Sequence, residues 1–216
     1  MKKINDYTWE WRIMAINLQK GQRVDLTKGN PGLSKTLIGL GWDPVQQSKG
    51  GGLLGALFGG GQAASIDCDA SVIMVNEQGK VQANSDVIYF GNLKSRDGSV
   101  QHSGDNLTGD GDGDDEQIQV ELSKVPVHIH KLVFVVNIYD AVKRKQHFGM
   151  IQNAFIRIVN PLTNQALIHY NLTDDYAGKT SLIVGELYRN GQDWKFAAIG
   201  TGTNAGSLGE LVKSFS

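Results

Sequence analysis

Gly104-Asp-Asn-Leu-Thr-Gly-Asp-Gly-Asp-Gly-Asp-Asp-Glu-Gln-Ile-Gln-Val-Glu-Leu122 decides how this chain is read. Asp105, Asp110, Asp112, Asp114, Asp115 and Glu116 crowd into it, more than a quarter of the 22 Asp and Glu in the chain. Gly109, Gly111 and Gly113 space these acids and let the backbone take positive φ angles. Two carboxylates about 5 Å apart repel by roughly 3 kcal/mol at an effective dielectric near 20. The loop can therefore fold its acids inward only around a cation. Asn106 and Thr108 add further oxygens, and no Cys or His lies among the acids, which favours a hard divalent ion such as calcium. Asp110, Asp112, Asp114 and Glu121 would fill the first, third, fifth and last positions of an EF-hand loop. The sixth would be Asp115 where that loop needs glycine, and Ile118, Val120 and Leu122 alternate with polar residues, as a strand does. The EF-hand is rejected: the acids sit on a loop between β-strands. A merely solvated acidic loop is the plain alternative. The interleaved glycines and the flanking strands weigh against it.

At 216 residues, with 40% apolar and 20% charged residues, the chain suits one globular domain with a real core. A net charge of −1 gives no basic footprint for nucleic acid. Cys68 is the sole cysteine, so no internal disulfide forms and a reducing compartment is consistent. No apolar h-region follows Lys2 and Lys3, and no apolar run approaches the roughly 20 residues of a spanning helix. The expected location is cytoplasmic.

Residues 1–13 show no clean period and read as an N-terminal extension; Met14 is the expected start, which an intact mass of the native protein would check. The domain then runs over 14–216. Its 27 glycines and short apolar segments separated by turn signals predict an all-β, two-sheet sandwich of roughly ten strands. Ile16–Leu18 and Arg23–Leu26 flank Lys20-Gly21, which reads as a hairpin turn. Leu37–Trp42, Ile66–Val75, Val87–Phe90, Ile118–Leu122, Lys131–Ile138, Ala154–Val159, Leu167–Asn171, Ser181–Tyr188 and Trp194–Gly200 are the other predicted strands. Lys131–Ile138 is near-continuously apolar, as a central strand buried on both faces would be. Residues 206–215 predict a short terminal helix with Ser207 as N-cap and Glu210 three residues on.

Residues 44–65 are a glycine-bracketed apolar insertion, Leu53-Leu-Gly-Ala-Leu-Phe58 between Gly50–Gly52 and Gly59–Gly61. A surface loop with its leucines folded back is the preferred reading; a docking finger is the other. After it, strand alternation puts Asp67 and Asp69 on one face. They are either a solvent-facing pair or two metal ligands, and the acidic loop elsewhere favours ligands. Cys68 reads as a small buried hydrophobe. Asn92 and Lys94 are placed to brace the acidic loop.

Catalytic readings find little support. His102, Ser103 and Asp105 are too near in sequence to point at one another as a triad. His128 and His130 share a strand face but have no acidic or thiol partner at useful spacing. No phosphate loop or dinucleotide fingerprint is present.

Several segments together resemble the bacterial TerD family of tellurite-resistance and stress-response proteins. They are Lys20–Leu26, Gly39-Leu-Gly-Trp-Asp-Pro44, Asp67-Cys-Asp-Ala-Ser71, Asn92–Ser99, Gly104–Glu116, Phe134–Ala141, Asn153–Arg157 and Gly185–Arg189. The resemblance implies a β-sandwich that binds two calcium ions. The implied ligands are Asp67, Asp69, Asp105, Asn106, Asp112, Asp114, Asp115 and Glu116. It also implies action with partner Ter-type proteins at the inner membrane face. Cys68 stands where the family usually has Leu, and Asp110 where Glu is common; the insertion resembles the TerZ-like branch. The expected function is a non-enzymatic, calcium-ordered interaction module of a stress-resistance assembly. The alternative is a calcium-dependent enzyme acting on a small molecule or polymer.

Overall fold

Two six-stranded sheets pack face to face, in a computed structural model that describes residues 15–44, 66–104, 113–172 and 174–216. The strands are β1 (Ile16–Leu18), β2 (Arg23–Asp25), β3 (Lys35–Pro44), β4 (Cys68–Val75), β5 (Val87–Ile88) and β6 (Val100–His102). β7 (Glu116–Glu121), β8 (Lys131–Ile138), β9 (Ile151–Asn160), β10 (Gln165–Asn171), β11 (Ser181–Asn190) and β12 (Asp193–Thr203) follow. The first sheet runs β1-β10-β9-β3-β7-β6 and the second β2-β12-β11-β8-β4-β5. β1 lies parallel to β10, and the other pairings are antiparallel.

β8 explains how the sheets are covered. Leu132, Phe134, Val136 and Ile138 point into the inter-sheet core, with Cys68, Ala70, Val72 and Met74 of β4 and Ile38 and Leu40 of β3. Val133 and Val135, one residue out of phase, face the other way with Ile73 and Val75. There they meet Leu211 and the partly buried Leu208, Val212 and Phe215 of the C-terminal segment. An uninterrupted apolar run is thus stable because both faces find cover; each fully buried large side chain contributes about 1.5–3 kcal/mol.

A four-residue helix, α1 (Ala141–Arg144), follows β8, with Asp140 and Lys145 at left-handed φ of 52° and 55° on either side. The terminal helix is α2 (Leu208–Val212), and its cap is the one expected. Ser207 Oγ accepts the Glu210 N–H at 3.2 Å, while the Glu210 carboxylate accepts the Gly206 N–H at 2.8 Å.

The structure corrects the reading of Lys20-Gly21. The chain does turn there: the Gln22 N–H reaches Gln19 O at 3.0 Å, and Gly21 sits at φ 82°. But β1 and β2 do not pair. β1 joins the first sheet against β10 and β2 the second against β12, so the turn crosses between layers. Val100–His102, which carries no strand signal of its own, is strand β6 on the edge of the first sheet. The expectations for residues 1–13 and for the insertion at 44–65 fall almost wholly outside the described residues.

Candidate metal centre

The acidic loop leaves β6 and returns as β7, and its neck is tied shut. The Ser103 N–H donates to Gln117 O at 2.9 Å, and the Gln117 N–H to Ser103 Oγ at 3.2 Å. Asp105, Asn106, Asp110 and Asp112 lie outside the described residues, so the site is described from the loop's two ends and from β4.

Asp114 is held from the first sheet. Arg157 of β9 donates Nε to Oδ1 at 2.6 Å and Nη2 to Oδ2 at 2.9 Å, and Gln117 Nε2 reaches Oδ2 at 3.0 Å. The carboxylate rests on Gly39 of β3, where a Cβ would overlap it. Gly41, two residues on, leaves room for the Phe155 ring and the Gly113 carbonyl. Glycine inside a strand signals such close approach.

Asp115 bonds to β3 twice. Its N–H donates to Leu40 O at 2.8 Å, and its Oδ2 accepts the Trp42 N–H at 2.7 Å. Burial pushes its pKa up from 3.8 to about 6, with the charges of Asp43, Asp114 and Glu116 adding and the Trp42 bond opposing.

Glu116 joins the two layers. Ala70 lies on β4 where β5 does not reach, since β5 pairs only with Val72 and Ile73. The Ala70 N–H donates to Glu116 Oε2 at 2.6 Å, and His102 Nε2 stands 3.1 Å from Ala70 O and 3.3 Å from Glu116 Oε2. The Gly104 N–H donates to His102 Nδ1 at 3.0 Å, which puts the imidazole proton on Nε2, facing both acceptors. Both side chains are fully buried. His102, which the sequence reading set aside, is therefore a structural member of this centre. Its signal was there to find: one strand step from the acids, at the mouth of their loop.

Asp67 and Asp69 come from the other side of the same segment. β4 is regular, so Asp69 and Ser71 share the outer face with Ile73 and Val75, and the Tyr139 N–H to Asp67 O bond of 2.8 Å extends the ladder to Asp67. Asp69 stands opposite Asn137 of β8, whose Nδ2 donates to Asp69 Oδ2 at 3.3 Å. Arg144 of α1 lies 3.6 Å from Asp67 Oδ2 and 5.0 Å over the Tyr139 ring. Asn137 Oδ1 and Ser71 Oγ are buried with no hydrogen-bond partner among the described residues. The Cys68 thiol between the two aspartates is fully buried, and burial followed by Asp69, Asp67, Glu116 and Asp115 pushes its pKa well up. It fills space and is not a thiolate.

Sequence-distant acids thus share one end of the sandwich: Glu116 touches the backbone of the residue after Asp69. Among the described residues no three His, Cys, Asp or Glu side chains form a group able to hold a metal ion. What they do provide is oxygen: two buried carboxylates, an orphaned amide oxygen and an orphaned hydroxyl on one face. That donor chemistry suits a hard cation. Asn92 and Lys94 do not brace the loop ends; Asn92 Nδ2 closes its own turn on Val87 O at 2.7 Å, and Lys94 bridges to Gln101. His128 is exposed in a turn and His130 half-buried just before β8, so neither lies on a strand face as expected. Among the described residues no helix is long and apolar enough to cross a membrane.

Comparison with known proteins gives a consistent result. A family model described as the TerD domain matches residues 14–215. The chain is 62% identical over 202 residues to the stress response protein SCP2 of Bacillus subtilis, covering 94% of this chain and 100% of that one. It is 43% identical over 202 residues to the tellurium resistance protein TerD of Serratia marcescens, covering 94% and 97%. A solved homologue of the telluride resistance protein from Streptomyces coelicolor superposes with a TM-score of 0.59 at 19% identity, over 83% of this chain and 98% of that one. That last likeness speaks to the fold.

Proposed function

The chain belongs to the TerD family of stress-response and tellurium-resistance proteins, and from that premise we propose that it is a non-enzymatic calcium-binding protein whose ions order a surface for partner proteins. The relatives are named for resistance and stress, not for a reaction. The observation that carries the reading is the contact of Glu116 with the backbone of Ala70, which brings the end of the acidic loop beside Asp67 and Asp69.

Asp67 and Asp69, with Asp105, Asn106 and Asp112 from the loop, would hold the ions, of which two are proposed. Asp115 and Glu116 complete the set at the loop's end. Asp114 belongs to the same set by sequence, but both its oxygens engage Arg157, so its main part is to fix the loop on β3. A bound divalent ion supplies the positive charge that lets these carboxylates crowd together. Without it the acids repel and the rim of the sandwich loosens. With it the loop lies against β4, and the surface so formed suits other Ter-type proteins at the inner membrane face. Sites of this charge density bind roughly between 10⁻⁷ and 10⁻⁵ M.

Calorimetric titration with calcium, with melting in calcium and in chelator, tests the metal. Calcium at 100 times its dissociation constant should add about 2.7 kcal/mol of stability. A flat titration with identical melts would refute it. Pull-down from the native cell with and without calcium tests the partner; a calcium-independent set of bound proteins removes the ordered-surface role.

A further inference from the structure

Asn137 does not fit the face it occupies. Asp69 of β4 and Ser181 of β11 stand directly opposite it; its outward neighbours on β8 are Val133 and Val135, and β4 carries Ile73 and Val75 further along that face. A residue chosen only to fill the layer would be apolar, as those last four are. Asn137 is instead 6% exposed, with one half of its amide used and the other orphaned among the described residues. A buried acceptor left without a partner is costly. The orphaned oxygen belongs to the amide that already touches Asp69, and the Ser71 hydroxyl, also orphaned, follows Asp69 on the same face. Among the described residues the positive group that faces this cluster is the Arg144 guanidinium, and it lies toward Asp67.

We infer that Asn137 is a ligand of the cation held by Asp67 and Asp69, supplying its amide oxygen as a neutral donor. The inference rests on the calcium reading above. Calcium accepts amide oxygens as readily as carboxylates, and a neutral donor completes a coordination shell without adding repulsion. The Nδ2 contact to Asp69 and the Oδ1 contact to the ion then place the amide between its two partners.

The test is calorimetric calcium titration of the full chain as wild type, Asn137→Ala and Asn137→Asp, each also melted in chelator. Asn137→Ala should bind calcium about tenfold to a hundredfold more weakly. Asn137→Asp should bind at least as tightly as wild type, yet melt lower than Asn137→Ala in chelator, because a third carboxylate then crowds the empty cluster. A role in packing alone produces no such crossing. Wild-type affinity in Asn137→Ala, or equal losses in both variants, overturns the assignment while leaving the calcium reading standing. A flat wild-type titration removes that reading and this one with it. If Asn137→Ala does not fold, the side-chain amide resonances of wild-type Asn137 decide: they should move on adding calcium, and fixed resonances overturn the proposal.

Discussion

Asp114 and Asp69 are buried carboxylates at the same end of the sandwich, and the protein treats them differently. Asp114 is gripped by a bidentate guanidinium and a glutamine amide, over a glycine that keeps the strand beneath it bare. Among the described residues Asp69 faces an amide at 3.3 Å, beside Asp67 with a guanidinium at 3.6 Å, on a face that carries two orphaned oxygens. The first arrangement neutralises charge internally and so is scaffold. The second is rich in acceptors, which is the condition a cation relieves. On the calcium reading proposed above, one cluster of acids thus divides into a part that positions and a part that would receive the ion.

The largest effect should come from breaking the scaffold half. Arg157→Ala leaves a carboxylate of 1% side-chain exposure without its guanidinium and should lower stability in urea by about 3 kcal/mol. The loss should be the same in calcium and in chelator; full rescue by calcium would erase the distinction. Asp69→Asn should do the reverse. In chelator its stability should equal or exceed wild type, while the calcium-linked gain of about 2.7 kcal/mol at 100 times the dissociation constant disappears. A loss in chelator as well would return Asp69 to the scaffold.

Asp115 lies between the two halves, and pH separates its part. Its pKa in the fold, about 6, is above its ordinary 3.8, so the folded state holds the proton more tightly. The cost of its charge is absent below about pH 4, grows between, and is complete above about pH 6. In chelator Asp115→Asn should therefore be more stable than wild type near pH 7, by about 1 kcal/mol once solvent screening is discounted, with the gap closing toward pH 4. Asn still offers an oxygen to the Trp42 N–H. The smallest effect lies outside the cluster. Ser207→Ala should cost about 0.5 kcal/mol in thermal melts, with or without calcium, because Glu210 still accepts the Gly206 N–H.

How far all this was legible depends on how local each cause is. The strand at Lys131–Ile138 and the Ser207 cap are written in periodicity and in neighbours three residues apart, and both stand as read. So does the rejection of the EF-hand, since Glu116–Glu121 is a strand. The Asp114–Arg157 pair was not legible, because it needs β3 to lie between β7 and β9, a fact of sheet order. Gly39 and Gly41 were the available hint that something presses on that strand. His102 was judged by its immediate neighbours, whereas its partners come from β7 and from β4 in the opposite sheet. The hairpin failed for the same reason: turn residues fix where a chain bends, not which strands then pair.

That crossing turn at Gly21 also sets an order of events. Ile16 ends beside Ile168 and Val24 beside Phe196, so the stretch that leaves the ribosome early has no place to dock until nearly all the rest has been made. β9 with β10, and β11 with β12, can close from nearby residues and start each sheet. The two leading strands then add as outer strands, one on each layer, shielding backbone groups that would otherwise recruit another molecule and aggregate. A nascent chain halted before β12 should therefore carry β2 loose, and completing synthesis is what seals the second layer.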